Sequence, residues 1–243
     1  MLDARTENLL TMYVETVRGL LAPDLVSVVL YGSGAGDEYD PGTSDLNTLI
    51  VVDRLRAAHL RALSSEVRRW RARRFSTPLV FDRDYVARAR DVFPIEFHEL
   101  RDRHRVLAGE DWLATLELDD RNLRAQCEHE ARAKLLRLRE RYLESAGRSR
   151  ELRALMLESM NTFRVIVRAC LRLDGIAPPL ETGRAVADLE SHRGASFPVM
   201  RRLAAIRRGE ESWDDVTADE AFADYLDEVA GLVGLVDRPT RSE

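Results

Sequence analysis

Lysine is almost missing from this sequence. Lys134 is the only one, so 36 of the 37 basic residues are arginine. That absence removes a phosphate loop of the Walker type, which needs a lysine directly after its last glycine. Cysteine is scarce as well: Cys127 and Cys170 build no disulfide framework and carry no metal-type spacing. No uninterrupted apolar run approaches the roughly 18 residues of a membrane span. The opening Met1-Leu2-Asp3-Ala4-Arg5-Thr6 shows no basic and then apolar leader. These absences predict a cytoplasmic protein with no membrane partner. A net positive charge is lacking too: at −5 and a pI near 5.7, a general nucleic-acid coat protein is excluded. What is present is a chain of 243 residues, 45% hydrophobic and 33% charged, which has enough apolar surface for one large or two small folded domains.

The two halves differ in texture. In the first, a helix opens at Thr6-Glu7 with Leu9, Leu10, Tyr13, Val14, Val17, Leu20 and Leu21 at helical spacing, and Pro23 follows its end. Val26 to Tyr31 and Leu46 to Val52 are short β-branched apolar runs, and each predicts a buried strand. Arg54 to Arg74 has helical spacing. Pro78-Leu79-Val80-Phe81 and Pro94-Ile95-Glu96-Phe97 are two further expected strands. The second half shows no strand signal and consists of long helices rich in Leu, Ala, Arg and Glu. Ser149 is the expected cap of a helix burying Leu152, Leu155, Ser159, Phe163, Ile166 and Cys170, and Gly175 with Pro178-Pro179 ends it. The expected organisation is an α/β (α+β) domain over residues 1–117, with a mixed sheet and flanking helices, followed by an all-α helical bundle over 118–243.

The chemistry concentrates between the first two strands, in Tyr31-Gly32-Ser33-Gly34-Ala35-Gly36, a loop, and Ser44-Asp45-Leu46-Asn47. A dinucleotide fingerprint is excluded, because the glycines fall at 32, 34 and 36 and Pro41-Gly42 breaks any helix. A nucleophile elbow is excluded too, because Tyr31 and Ala35 stand where it needs glycines. Asp45 and Asn47 project from one face of a strand start, with Leu46 buried behind them. Backbone N–H groups of Gly32, Ser33 and Gly34 suit phosphate oxygens. Together these donors suit a divalent cation and a polyphosphate, since Mg²⁺ takes few protein carboxylates plus phosphate oxygens and water.

Gly32-Ser33, the intervening loop and Asp45-Leu46-Asn47 resemble the nucleotidyltransferase superfamily of the DNA polymerase β type. In that family Gly-Ser is followed by Asp-x-Asp on a strand and by a third carboxylate on a later strand. The sequence of a small α/β domain and then helices also looks like the aminoglycoside adenylyltransferases and the minimal nucleotidyltransferases of toxin–antitoxin pairs. The resemblance implies transfer of a nucleoside monophosphate from an NTP, ATP foremost, to a hydroxyl of a small molecule, protein or RNA, with Mg²⁺ or Mn²⁺ as the metal. It implies Asp45 and Glu96 as catalytic carboxylates and Asp45, Asn47 and Glu96 as metal ligands. Gly32, Ser33, Gly34 and Asn47 would bind the nucleotide, with Ser33 on the β/γ-phosphates.

Asn47 departs from the family pattern. A neutral amide oxygen stands where the family carries its second aspartate, and removing one charge from a metal site costs orders of magnitude in rate. Asp37, Glu38 and Asp40 in the adjoining loop are candidates to compensate. An active transferase and a degenerate, nucleotide-binding or antitoxin-like regulatory protein with a protein partner therefore both stay open. A third reading, an RNA-binding module, rests on eight arginines between Arg54 and Arg74, which otherwise form the solvated face of a helix. Asp82-Arg83-Asp84 lies where a strand meets a helix and is read as capping. His98, two residues after Glu96, shares its face if the segment is a strand.

Overall fold

A computed structural model describes residues 2–36, 39, 44–213 and 218–237 of the chain. These fall into two compact units, 1–118 and 119–243.

The first unit is built on a four-stranded mixed sheet. Helix α1 (Ala4–Leu21) is capped by Asp3, whose carboxylate accepts the Thr6 N–H at 2.7 Å. Strand β1 (Leu25–Tyr31) leads through a 3₁₀ turn, Gly32–Ala35, toward strand β2 (Asn47–Val52). Helix α2 (Ala57–Arg71), strand β3 (Leu79–Asp82), helices α3 (Arg83–Ala89) and α4 (Pro94–Asp102) and strand β4 (His104–Gly109) complete the unit. The sheet order is β3-β2-β1-β4, with β1 antiparallel to both neighbours and β2 parallel to β3.

Side chains alternate across each strand, so the two faces feed two cores. Val28, Leu30, Ile50 and Val52 join Leu10, Tyr13, Val17, Leu63 and Trp70 of α1 and α2. Val29, Leu49 and Val51 join Val86 and Ala89 of α3 and Phe97 and Leu100 of α4. One polar pair crosses the first core: Tyr13 Oη and Thr48 Oγ1 lie 2.8 Å apart, both buried.

Pro94-Ile95-Glu96-Phe97 is not a strand but the start of α4, with Pro94 in the first turn and Glu96 beside the helix N-terminus. Both residue types suit a helix start, because proline has no N–H to leave unpaired and an acid favours the positive end of the helix dipole. The strand lies further on, in β4, where His104 and Arg105 precede the apolar Val106-Leu107-Ala108. Arg105 tolerates this place because its guanidinium binds Glu7 at 2.6 and 2.8 Å, which holds the Glu7 carboxyl below its ordinary pKa.

The regular elements among the second unit's described residues are all helices: α5 (Asp120–Ser145), α6 (Ser149–Leu173), α7 (Thr182–Arg193), α8 (Pro198–Arg207) and α9 (Ala218–Val236). Ser149 is the first residue of α6 rather than its cap; Arg148 precedes it, with no side-chain cap bond. Ser159 sits within the apolar stripe of α6 because its hydroxyl lies 2.9 Å from the Tyr225 hydroxyl of α9. Cys127 and Cys170 are free thiols, both buried. Glu228 of α9 is buried at the N-terminus of α8, where its carboxylate accepts the N–H groups of Val199 at 2.6 Å and Met200 at 2.9 Å.

Candidate functional site

The ends of β1, β2 and β4 meet at one edge of the first unit. Tyr31, the last residue of β1, pairs with Asn47 at the start of β2 and with His104 at the start of β4. Paired residues share a face, so Asn47, Tyr31 and His104 stand side by side. Burial raises the Tyr31 hydroxyl above its ordinary pKa. The chain turns out of the sheet immediately after Tyr31, and Gly32 takes φ +71°, a left-handed conformation that favours glycine. A Cβ built on Gly32 would lie 3.4 Å from Asn47 Nδ2, which measures how closely the amide approaches the turn.

The turn offers fewer donors than the sequence suggests. The Gly32 N–H is bonded to the Arg103 carbonyl at 3.1 Å, and the end of a 3₁₀ turn bonds back on itself. Ser33, at the mouth of the turn, retains a backbone N–H and a hydroxyl suited to an anion. The Arg103 side chain lies over Gly36, where a Cβ would come within 3.2 Å of Nε.

Asp45 precedes β2, and Leu46 behind it is 1% exposed. Leu46 is anchored by the turn that follows α2. Its N–H donates to the Arg74 carbonyl at 2.8 Å, and its own carbonyl accepts the Ser76 N–H at 3.0 Å. In that turn Phe75 N–H reaches the Trp70 carbonyl and Arg74 N–H the Arg71 carbonyl, both at 3.1 Å. This is the Schellman arrangement, which puts its left-handed residue at Arg74. Arg74 has φ +66° where glycine is the favoured residue, at a cost of about 1 kcal/mol or more. Its guanidinium lies 3.6 Å from the Asp45 carboxylate. Arg61, Arg68, Arg69, Arg71 and Arg73 are exposed on α2 and the same turn.

Asp45, Asn47, Gly32 and Ser33 are thus brought to one edge. Glu96 has lost the ground on which it was chosen: it is exposed on α4, not set on a strand beside β1. His98 does not share its surroundings; it is buried, with Nδ1 3.0 Å from Arg101 Nη2. The strand that does lie beside β1 carries no carboxylate, and His104 opens it, held by the Arg101 carbonyl at 2.9 Å and Asp111 at 3.1 Å. Asp37, Glu38 and Asp40 lie outside the described residues. Among the described residues no group of three or more His, Cys, Asp or Glu side chains is placed to hold a metal ion. Among the described residues, the predicted ligands at the edge are one carboxylate, Asp45, and one amide oxygen, Asn47. That set fits Mg²⁺ arriving with phosphate oxygens and water of its own, and does not fit an ion held by protein groups alone. Arg74 is the member that sequence reasoning missed, since nothing in a run of arginines marks the one that folds back onto Asp45.

No family model matches the sequence, and no curated protein matches it. Among solved structures, the chain is similar to spectinomycin adenyltransferase AAD(9) from Enterococcus faecialis, solved with ATP and spectinomycin. The two superpose with a TM-score of 0.53 at 12% identity, over 90% of this chain and 99% of that one. A nucleotidyltransferase-like protein from Exiguobacterium sibiricum 255-15 aligns over 92% of this chain and 72% of its own, at 12% identity and a TM-score of 0.39, too loosely to carry weight. The likeness to the adenyltransferase shows the fold: a nucleotidyltransferase-like α+β sheet domain followed by helices. No described helix is long and apolar enough to cross a membrane.

Proposed function

We propose that this chain binds a nucleoside triphosphate with Mg²⁺ or Mn²⁺ at the edge formed by β1 and β2, as a nucleotide-binding form of the nucleotidyltransferase fold with a weakened metal centre. The observation that carries the reading is the charge of that edge. Among the described residues Asp45 supplies one carboxylate there, Asn47 is neutral, and the adjacent strand β4 carries no acid. In this reading Ser33 would receive the β/γ-phosphates, Asp45 would ligate the metal that arrives with them, and the Asn47 oxygen would add a neutral ligand. When bound, the metal neutralises phosphate charge and aligns the triphosphate. ATP is the nucleotide to test first, because the similar adenyltransferase was solved with it.

A second reading is favoured by that same likeness and by the acidic residues Asp37, Glu38 and Asp40 next to the turn. Here the site transfers a nucleoside monophosphate: an acceptor hydroxyl oxygen bonds to the α-phosphorus, the bond to pyrophosphate breaks, and the hydroxyl proton is lost. Labelled ATP and GTP with Mg²⁺ separate the two readings, with spectinomycin, RNA and the protein itself as acceptors. The binding reading predicts saturable, metal-dependent nucleotide binding with pyrophosphate release below about 0.01 per second. Release at about 1 per second, an ordinary enzymatic rate, overturns it in favour of transfer.

A further inference from the structure

We propose that Arg74 is a phosphate-binding residue that exchanges partners: it pairs with Asp45 while the site holds no nucleotide, and it moves onto the nucleotide's phosphates when the metal takes its place on Asp45. The inference rests on the nucleotide-binding reading above and names a residue for it. Three independent features of Arg74 converge. Its guanidinium lies 3.6 Å from the carboxylate that would hold the metal. Its carbonyl accepts the Leu46 N–H at 2.8 Å, which ties the turn to the residue between Asp45 and Asn47 and fixes where the side chain starts. Its backbone adopts φ +66° at a helix end where glycine is favoured, so keeping an arginine there costs about 1 kcal/mol or more that a glycine would not.

The exchange follows from charge. A guanidinium and a divalent cation compete for one carboxylate and repel each other across it. Arriving with its metal, the triphosphate brings the anionic oxygens that a displaced guanidinium needs, and its planar fork matches a phosphate in a bidentate way. Both partners are well exposed, 43% for Arg74 and 61% for Asp45, so breaking the pair strips little from a protected environment. Asn47 is neutral, so the edge draws less metal charge than two carboxylates would, and the arginine supplies positive charge beside the phosphates.

The test compares wild type with Arg74→Gly and Arg74→Lys in the full chain. ATP affinity with and without Mg²⁺ is read by calorimetry, Mn²⁺ binding without nucleotide by electron paramagnetic resonance, and folding by the unfolding temperature. Arg74→Gly is expected to keep or raise the unfolding temperature, to weaken Mg-ATP binding at least tenfold, and to tighten Mn²⁺ alone at least threefold because its competitor is gone. Arg74→Lys recovers part of the ATP affinity. Unchanged ATP affinity in Arg74→Gly overturns the proposal. So does unchanged Mn²⁺ affinity, and so does a loss of ATP affinity that comes with a lowered unfolding temperature. If the wild type itself binds no Mg-ATP, the site reading fails and this proposal with it.

Discussion

Asp45 carries an ionisable carboxyl and Asn47 an amide, and the proposed metal binding turns on that difference. An amide oxygen attracts a divalent cation far less than a carboxylate and does not bridge two of them. Asn47→Asp is therefore expected to tighten metal-dependent ATP binding by about tenfold, roughly 1.4 kcal/mol. Titration of ATP at fixed Mg²⁺ checks it, and an affinity gain that appears equally without metal would contradict the assigned role. Both residues were legible in the sequence because an apolar residue between two polar ones at a strand start has only one way to face the core, and Leu46 is buried as that demands. Arg74 was not. Its relation to Asp45 spans 29 positions of sequence and depends on the left-handed turn after α2, which an arginine does not announce.

The lesson for secondary structure is sharpest around residues 94 to 109. Pro94-Ile95-Glu96-Phe97 alternates apolar and polar residues over too short a window to separate a strand from a helix start. The burial pattern decides: Pro94, Ile95, Phe97, His98 and Leu100 are all buried while Glu96 is exposed, which no alternation of period two allows. The strand β4 hid behind two polar residues, His104, whose ring contacts Asp111, and Arg105, which pairs with Glu7, and a local reading does not connect them to these partners. Capping was easier to read. Asp82 ends β3 and accepts the Tyr85 N–H at 2.7 Å, opening α3, and also the Leu55 N–H at 3.0 Å ahead of α2. These bonds hold its carboxyl below the usual carboxylate range. Asp82→Ala is expected to cost about 1 to 2 kcal/mol of local stability. Amide exchange should accelerate at Tyr85 and Leu55 together; acceleration at only one would show that the two bonds are not shared.

At the scale of the molecule, each unit closes its own core, and a buried carboxylate marks the second. Burial pushes Glu228 up to about 7, helped by the nearby charges of Glu190 and Asp224 and opposed by the two N–H groups it accepts. Between about pH 4.5 and 7 the folded protein holds a proton on Glu228 that the unfolded chain releases. Its contribution to stability therefore falls as pH rises through that window, by on the order of 1 to 3 kcal/mol. Glu228→Gln should flatten this part of the profile. Thermal unfolding of both proteins at pH 5 and pH 8 measures it, and parallel profiles would contradict it. The α+β unit and the helical unit were legible from hydrophobic periods alone, because long apolar stripes admit few alternatives. The composition of the candidate edge was only half legible, since which strand lies beside β1 is decided by packing across the sheet.

Asp45 is the residue through which, in the proposed function, a metal ion joins the nucleotide. Calorimetric titration of a non-hydrolysable ATP analogue into wild type and Asp45→Ala, each with and without Mg²⁺, tests it. Wild type should bind the analogue at least tenfold more tightly with Mg²⁺ than without, and Asp45→Ala should lose that difference while remaining folded. A magnesium dependence that survives intact in Asp45→Ala would place the metal elsewhere and contradict the site.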